Sequence, residues 1–261
     1  MSQEDLSRAY TTIASDYDRL MEGDAWMRPV LWDRYLHLFS AREHVLDVGC
    51  GTGSDAIFLA QNNRRVTGID ISPGMIDQLQ TRAEQNGLGD QVNARVLDLT
   101  DLRVLLPQRF AGIISAFGGL NTVLDLRAFA TDAAYLLEPR GRLFIHMINR
   151  FSIWEWYSLV QQGQLGQAMA LRNRTTRTIT IGGKPIRHYL PYPQKIYSQF
   201  FKTYFELNAT YALGFIRAPG ALADPDTVER VEKLEKRWRS RWPFRNWGRF
   251  FVLEMTRRAG L

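Results

Sequence analysis

Cysteine is nearly absent from this 261-residue chain. Cys50 stands alone, which excludes an internal disulfide framework. Histidine is scarce as well, at four residues, and no Cys/His cluster has zinc-ligand spacing, so no metal is expected. Long hydrophobic runs are missing: no stretch approaches the roughly 20 uncharged apolar residues that span a bilayer. The opening decapeptide MSQEDLSRAY is acidic and polar, unlike a signal or transit peptide. A cytoplasmic location is the resulting expectation. Repeats and low-complexity linkers are also lacking, so residues 1–261 read as a single domain.

What is present is an ordinary globular composition, 45% apolar and 23% charged, with an uneven charge distribution. Residues 1–150 carry 15 Lys and Arg against 19 Asp and Glu, a net of −4, while residues 151–261 carry 18 against 8, a net of +10. The basic part either meets an anionic partner or is a solvated Arg-rich surface.

Periodicity organises the first 150 residues. Leu6, Tyr10, Ile13, Ala14, Tyr17 and Leu20 recur at three- and four-residue spacings, predicting an amphipathic helix over 6–21, broken near Ser15-Asp16. A second helix is expected over 26–39, with Pro29 in its first turn. From residue 44 strands alternate with helices. Strands are expected at 44–48, 64–70, 91–97, 110–117 and 141–148. The intervening helices fall at 54–62, 73–86, near 101–106 and at 124–137, with Ser72-Pro73 as cap and first turn of the second. That alternation implies a doubly wound, mostly parallel α/β sheet.

After Asn149 the rhythm changes. A helix with an aromatic face (151–163) is followed by a β-hairpin over 174–190 turning at Gly182-Gly183. A helix at 193–204, a strand at 205–213, a charged helix at 224–238 opened by an Asp cap and a final strand at 249–257 complete the pattern. The last strand is expected to be antiparallel and near an edge, bringing the sheet to seven strands. Residues 151–190 read as an inserted helix-and-hairpin cap.

The chemistry concentrates at Asp47, Gly49, Gly51 and Gly53, directly after the first strand. Glycines at a strand-to-helix turn let backbone approach a ligand closely. A dinucleotide fingerprint is G-x-G-x-x-G, but Ser54 stands where the third glycine should fall. Asp47 would also repel a pyrophosphate. A ligand bearing an ammonium and a sulfonium suits this loop better than a nicotinamide dinucleotide does. Asp70 ends the second strand, 17 residues past Gly53, where a carboxylate can accept both hydroxyls of a ribose; a plain helix-capping role is the alternative.

VLDVGCGTG (45–53) resembles motif I of the class I S-adenosylmethionine-dependent methyltransferases, and the resemblance extends over residues 5–150. It implies a Rossmann-like methyltransferase fold with S-adenosylmethionine as cofactor and S-adenosylhomocysteine as product. Asp47 and the backbone of Gly49 and Gly51 would hold the methionyl part. Ile71 and Met75 would contact adenine, Asp98 would accept from its amino group, and Leu99 would offer a backbone donor. Ala116 and Phe117 would lie beneath the transferable methyl. Tyr10, Ala14 and Tyr17-Asp18 resemble the gate of small-molecule methyltransferases, making residues 1–40 gating helices. The last third more faintly resembles bacterial methyltransferases of little assigned chemistry, through Trp154-Glu155 and Tyr192-Pro193.

Methyl transfer needs alignment and a dry pocket, plus a base only when the acceptor is protonated. Candidates for catalytic roles are His146, His188 and Tyr17; for substrate contact, Asn149, Trp154, Tyr157 and Tyr189. Each has a plain structural alternative as core or surface. The aromatic set of the cap favours a partly apolar small-molecule acceptor and O-methylation. RWRSRWPFRNWGR (237–249) interleaves Arg with Trp but carries no RNA-binding signature, so nucleic acid is not expected as a partner. The alternatives are an RNA or protein methyltransferase and a non-catalytic cofactor-binding partner of another enzyme.

Overall fold

The computed structural model describes residues 2–217 and 225–260. Seven strands form one sheet: β1 (His44–Val48), β2 (Arg65–Asp70), β3 (Val92–Val96), β4 (Phe110–Ser115), β5 (Leu137–Ile148), then β8 (Phe205–Leu213) and β9 (Phe250–Arg257). Among the described residues the intervening β6 (Thr176–Ile181) and β7 (Lys184–Tyr189) pair only with each other. The order across the sheet is β3-β2-β1-β4-β5-β9-β8. β1 to β5 run parallel, and β9 lies antiparallel between β5 and β8. The fold is thus the doubly wound sheet expected from the alternation. The closing strand sits one place in from the edge, because β8 returns to cover it.

Both faces of the sheet are covered, which is why its central strands read as apolar runs rather than as alternating ones. Leu143, Ile145 and Met147 of β5 join one core layer with Leu46, Ile113 and Phe129; Phe144 joins the other with Val45, Ile114 and Tyr35. His146 follows the alternation onto the Phe144 side.

The helices are α1 (Gln3–Ile13), α2 (Tyr17–Leu20), α3 (Arg28–Leu38), α4 (Ser54–Gln61), α5 (Pro73–Gln85), α6 (Arg127–Leu136), α7 (Ile153–Gln161), α8 (Leu165–Ala170), α9 (Pro193–Ile196) and α10 (Pro225–Trp238). The N-terminal helix breaks where expected: a 3₁₀ turn at Ala14–Asp16 separates α1 from α2. Ser72 caps α5, its Oγ accepting from the Met75 N–H at 3.2 Å. The helix expected over 193–204 narrows to α9 followed by a wide turn at Tyr197–Phe201. α8 has no counterpart in the sequence reading. The Asp cap expected for α10 falls on Asp224, outside the described residues. The hairpin turn forms at Gly182-Gly183, both with positive φ (53° and 75°), as a two-residue turn requires.

β1 and β4 are neighbours in space but not in sequence. The chain direction of crossover reverses there, and the crevice at the carboxyl ends of these strands is where open α/β sheets bind ligands.

Candidate active site

The glycine loop grows out of β1 and is stitched to β2. Gly49 and Cys50 both donate N–H groups to the Ile69 carbonyl, at 2.8 and 3.0 Å. Gly49, Gly51 and Gly53 have φ of 68°, 54° and 85°, a region that side chains with a Cβ avoid. Gly51 then donates its N–H to Asp70 Oδ2 at 3.0 Å, while Asp70 Oδ1 accepts from Ser72 N–H at 2.9 Å. Burial raises the Asp70 pKa to about 6, partly offset by these backbone donors.

Beside this loop lies a cavity of about 370 Å³. Its wall includes Gly49, Gly51 and Asp70 at one end, and Ile71, Met75, Asp98 and Leu99 further along. Ala116 and Phe117, at the end of β4, complete it together with Tyr17. Ten residues singled out from sequence therefore converge on one space, although the ends of β1, β2, β3 and β4 and the helices α2 and α5 deliver them separately. Asp98 Oδ1 accepts from the Thr100 N–H and hydroxyl, at 2.7 and 2.9 Å, which fixes the carboxylate at the cavity edge.

The N-terminal segment closes over the cavity. Ser7 Oγ donates to the Ile71 carbonyl (2.9 Å), Thr11 and Ser72 hydroxyls meet at 2.9 Å, and Gln3 Nε2 donates to Thr100 Oγ1 (3.1 Å). Asp18 takes Thr52 Oγ1 at 2.7 Å and pairs with Arg82. The Tyr17 ring packs on Gly51, where a Cβ would sit 3.5 Å from it. Tyr10 meets Tyr17 edge-on, ring centroids 6.4 Å apart. Burial pushes the Tyr17 hydroxyl up to about 12, with Arg28 opposing and Asp70 adding to the shift, so it stays protonated near neutrality.

Several expected residues stand elsewhere. Asp47 is buried and off the cavity wall; its pKa is raised by burial first and by neighbouring Asp55 next, with Arg28 opposing. Its Oδ2 accepts no hydrogen bond from the described residues. Gly53 also leaves the wall: a Cβ there would fall 2.2 Å from Leu79 Cδ1, so this glycine lets the loop pack on α5. His146 is 1% exposed and does not reach the cavity; its Nδ1 accepts from the Phe117 N–H at 3.2 Å. His188 is buried in the hairpin with Nδ1 3.2 Å from the Ile186 carbonyl. Neither histidine is placed to take a proton from a molecule in the cavity.

The substrate candidates also stand off the cavity wall. Asn149 spends its amide on the Asn246 and Gly248 carbonyls (2.8 and 3.0 Å) and its oxygen on the Arg150 N–H, fastening the 246–248 loop. Trp154 and Tyr157 stack edge-on at 6.1 Å on α7, with Tyr157 facing solvent and neither lining the cavity. Glu155 binds Arg174, so the Trp-Glu pair stabilises the insertion itself. The Tyr189 carbonyl accepts from Asn121 Nδ2 at 2.6 Å, and its ring packs on the core rather than the cavity wall.

Sequence reasoning missed Asn121, Arg28 and Asp55. Buried Asn121 accepts from the Ile148 N–H (2.9 Å) and donates to the Ile148 and Tyr189 carbonyls, tying β5 and β7 to the loop that carries cavity residues Thr122, Val123 and Leu124. Arg28 pairs with Asp55 at 2.8 Å, and Trp32 Nε1 donates to the same carboxylate at 2.7 Å. The Arg28 guanidinium also lies 4.4 Å over the Phe117 ring. Pro29 signalled the start of α3, but nothing local signalled that its first turn meets α4.

Residues 45–141 match a family model described as a methyltransferase domain. Over that stretch, rather more than a third of the chain, the sequence is that of a methyltransferase domain. A ubiquinone biosynthesis O-methyltransferase of Coxiella burnetii is 38% identical over 108 residues, covering 41% of this chain and 44% of the relative. One from Xylella fastidiosa is 38% identical over 106 residues, covering 41% and 42%. The chain thus spans less than half the length of these curated relatives. The DhpI–SAH complex structure superposes with a TM-score of 0.62 at 17% identity, over 98% of this chain and 97% of that one. A methyltransferase structure from Clostridium acetobutylicum gives 0.59 at 11%, over 95% and 98%. At such identities these two structures speak for the fold.

The residues present fit the family's cofactor. The Asp47 Oδ2 that no described residue bonds belongs to the residue two places before Gly49, Asp70 borders the cavity at the end of β2, and near Asp98 the wall joins apolar Ile71, Met75, Leu97 and Leu99 to polar Gln3 and Thr100. Among the described residues no helix is long and apolar enough to cross a membrane.

Proposed function

We propose that this chain transfers the methyl group of S-adenosylmethionine to a small or medium-sized, partly apolar acceptor, with oxygen the favoured acceptor atom. The observation that carries this reading is the joint between loop and acid: Gly51 N–H bonded to Asp70 on the wall of a cavity of about 370 Å³. Asp70 would hold the ribose hydroxyls, and Asp98 the adenine amino group between Ile71, Met75 and Leu99. The cofactor would supply an already electrophilic methyl group, leaving the protein to align the partners and exclude water.

Closure would come from residues 1–40, with Tyr17 over the glycine loop, and from the 151–190 insertion as substrate cap. The placement of the hairpin supports both. Its Gly182 abuts the Ala9 carbonyl of α1, and Lys184 Nζ lies 3.6 Å from Asp5. The acceptor would enter near Val123 and Leu124, which gives that end of the cavity its apolar character. The O-methyltransferase names of the partial relatives agree with an oxygen acceptor. Small molecules as substrates, nucleic acid not being one, and a cytoplasmic location belong to the same proposal.

The test is radiolabelled methyl transfer into a fractionated host extract. Label in an organic-soluble fraction supports the reading; label confined to RNA or protein overturns it.

A further inference from the structure

The turn leaving β4 donates two backbone hydrogen bonds to one residue of β5. His146 Nδ1 accepts the Phe117 N–H at 3.2 Å, and the His146 carbonyl accepts the Gly118 N–H at 3.1 Å. Phe117 and Gly118 are consecutive left-handed residues, with φ of 50° and 85°. Glycine adopts that region freely, whereas a phenylalanine Cβ crowds the following carbonyl and stays there only when its surroundings compel it.

Held in this way, the Phe117 ring stands on the cavity wall beside Ala116. Arg28 covers it at 4.4 Å, His146 meets it edge-on at 5.1 Å, and Phe250 lies at 6.1 Å. The imidazole is buried, and desolvation with nearby Arg28 lowers its pKa to about 3, so the ring is neutral. A neutral ring that accepts at Nδ1 carries its proton on Nε2. Among the described residues that Nε2 has no hydrogen-bond partner. An apolar side chain would avoid the cost of a buried, unpaired N–H. What an apolar side chain would not supply is the acceptor for Phe117.

We propose that His146 is a positioning residue: through Nδ1 it locks Phe117 in the left-handed conformation and thereby sets the cavity wall at the methyl-transfer end. The proposal rests on the reading of the cavity as the cofactor site. It replaces a proton-transfer role for this histidine with a geometric one.

The variants are His146→Leu, His146→Asn and His146→Gln, with Phe117→Ala and the Phe117→Ala/His146→Leu double. Asparagine offers an acceptor near the Nδ1 position; glutamine offers one toward the Nε2 end. Three readouts apply: imidazole nitrogen shifts, hydrogen exchange of the Phe117 amide, and calorimetric affinity for S-adenosylmethionine and S-adenosylhomocysteine.

The wild-type ring is expected as the Nε2–H tautomer. In His146→Leu the Phe117 amide should exchange roughly tenfold faster as its bond is lost. Affinity for S-adenosylmethionine should fall about five- to tenfold, the worth of one hydrogen bond. Asparagine should restore both readouts to within about threefold, glutamine should behave like leucine, and the double variant should lose no more than Phe117→Ala alone.

An asparagine variant as impaired as leucine, additive losses in the double, or an Nδ1–H tautomer would each overturn the proposal. If the leucine variant fails to fold, the asparagine–glutamine pair and the wild-type tautomer still decide. A wild-type protein that binds neither nucleoside would instead sink the proposed function, leaving the tautomer and exchange results to judge the lock.

Discussion

Gly51 donates its backbone N–H to Asp70 Oδ2 at 3.0 Å, so the glycine loop after β1 and the acid ending β2 behave as one unit. Asp70 supports the loop and presents itself to the cavity with the same carboxylate. Replacing it therefore does two things. Asp70→Ala should weaken S-adenosylmethionine binding by about 1.5–3 kcal/mol, or roughly 10- to 150-fold in Kd, through lost charge-assisted hydrogen bonds. Asp70→Asn keeps an acceptor for one of the two amides and should lose less. Isothermal titration of both variants checks the order.

The raised pKa of Asp70, about 6 against an ordinary 3.8, has two consequences with definite signs. Because the folded state holds this proton more tightly than the unfolded chain, the Asp70 contribution to stability is greatest below the unfolded pKa. It declines as pH rises from about 4 to 6, by roughly 3 kcal/mol in all, and is flat above. Binding runs the opposite way. Ribose hydroxyls donate to the carboxylate, so cofactor affinity should fall about tenfold per pH unit below 6. Titrations between pH 5 and 8 should show the fall, with proton release on binding in its lower half. Asp70→Asn should flatten the profile.

Arg28 holds together a buried acidic group. Its guanidinium pairs with Asp55 at 2.8 Å, lies over Phe117, and lowers the pKa of Asp47 against the combined push of burial and Asp55. Arg28→Met would leave Asp55 buried without its cation. A loss of about 3–5 kcal/mol in chemical denaturation is expected, as for other broken buried pairs. Arg28→Met/Asp55→Leu, which removes both charges, should recover part of it.

Gly182 has φ of 53°, and a Cβ there would lie 2.4 Å from the Ala9 carbonyl, which is backbone and cannot swing aside. Gly182→Ala should push the hairpin tip off α1. Protease cleavage near the N-terminus should accelerate and the melting temperature should fall by several degrees, about 1–2 kcal/mol. Gly183→Ala is the control: its φ of 75° carries the same strain, but among the described residues no atom beyond its chain neighbours lies within 4 Å of the added methyl. The difference between the two variants isolates the contact with α1.

The sheet and the residues that line the glycine-loop end of the cavity were largely legible in the sequence. Strand periodicity and turn residues are local signals, and the glycine loop, Asp70 and Asp98 each sit at a strand end that the pattern already located. The 193–204 segment misled because Pro193 marks a helix start, whereas the bulky run Tyr197–Phe201 widens the turn to bury Phe200 and Phe201 against the core. Residues 165–170 gave little warning of a helix, being only six residues long and directly following the Gln-Gln-Gly-Gln stretch at 161–164.

The catalytic and substrate candidates were the least legible, for a physical reason. His146, Asn149 and Tyr189 carry reactive or polar groups near strand ends, which a sequence presents as available. Whether such a group is free depends on partners far along the chain. Asn149 finds carbonyls 97 and 99 residues away, and Asn121 ties to Tyr189 across 68 residues. His146 meets Phe117 only because β4 and β5 pair with Ser115 opposite Ile145. Arg28 and Asp55 are joined by the packing of α3 on α4, which no periodicity records.

The most direct measurement is calorimetric titration of the purified protein with S-adenosylmethionine and, separately, with NADH and NADPH. One saturable site for S-adenosylmethionine, lost or greatly weakened in Asp70→Ala, and no heat from either nicotinamide nucleotide are expected. Uptake of a nicotinamide nucleotide with indifference to S-adenosylmethionine would contradict the assignment of the loop at 49–53 and the cavity beside it.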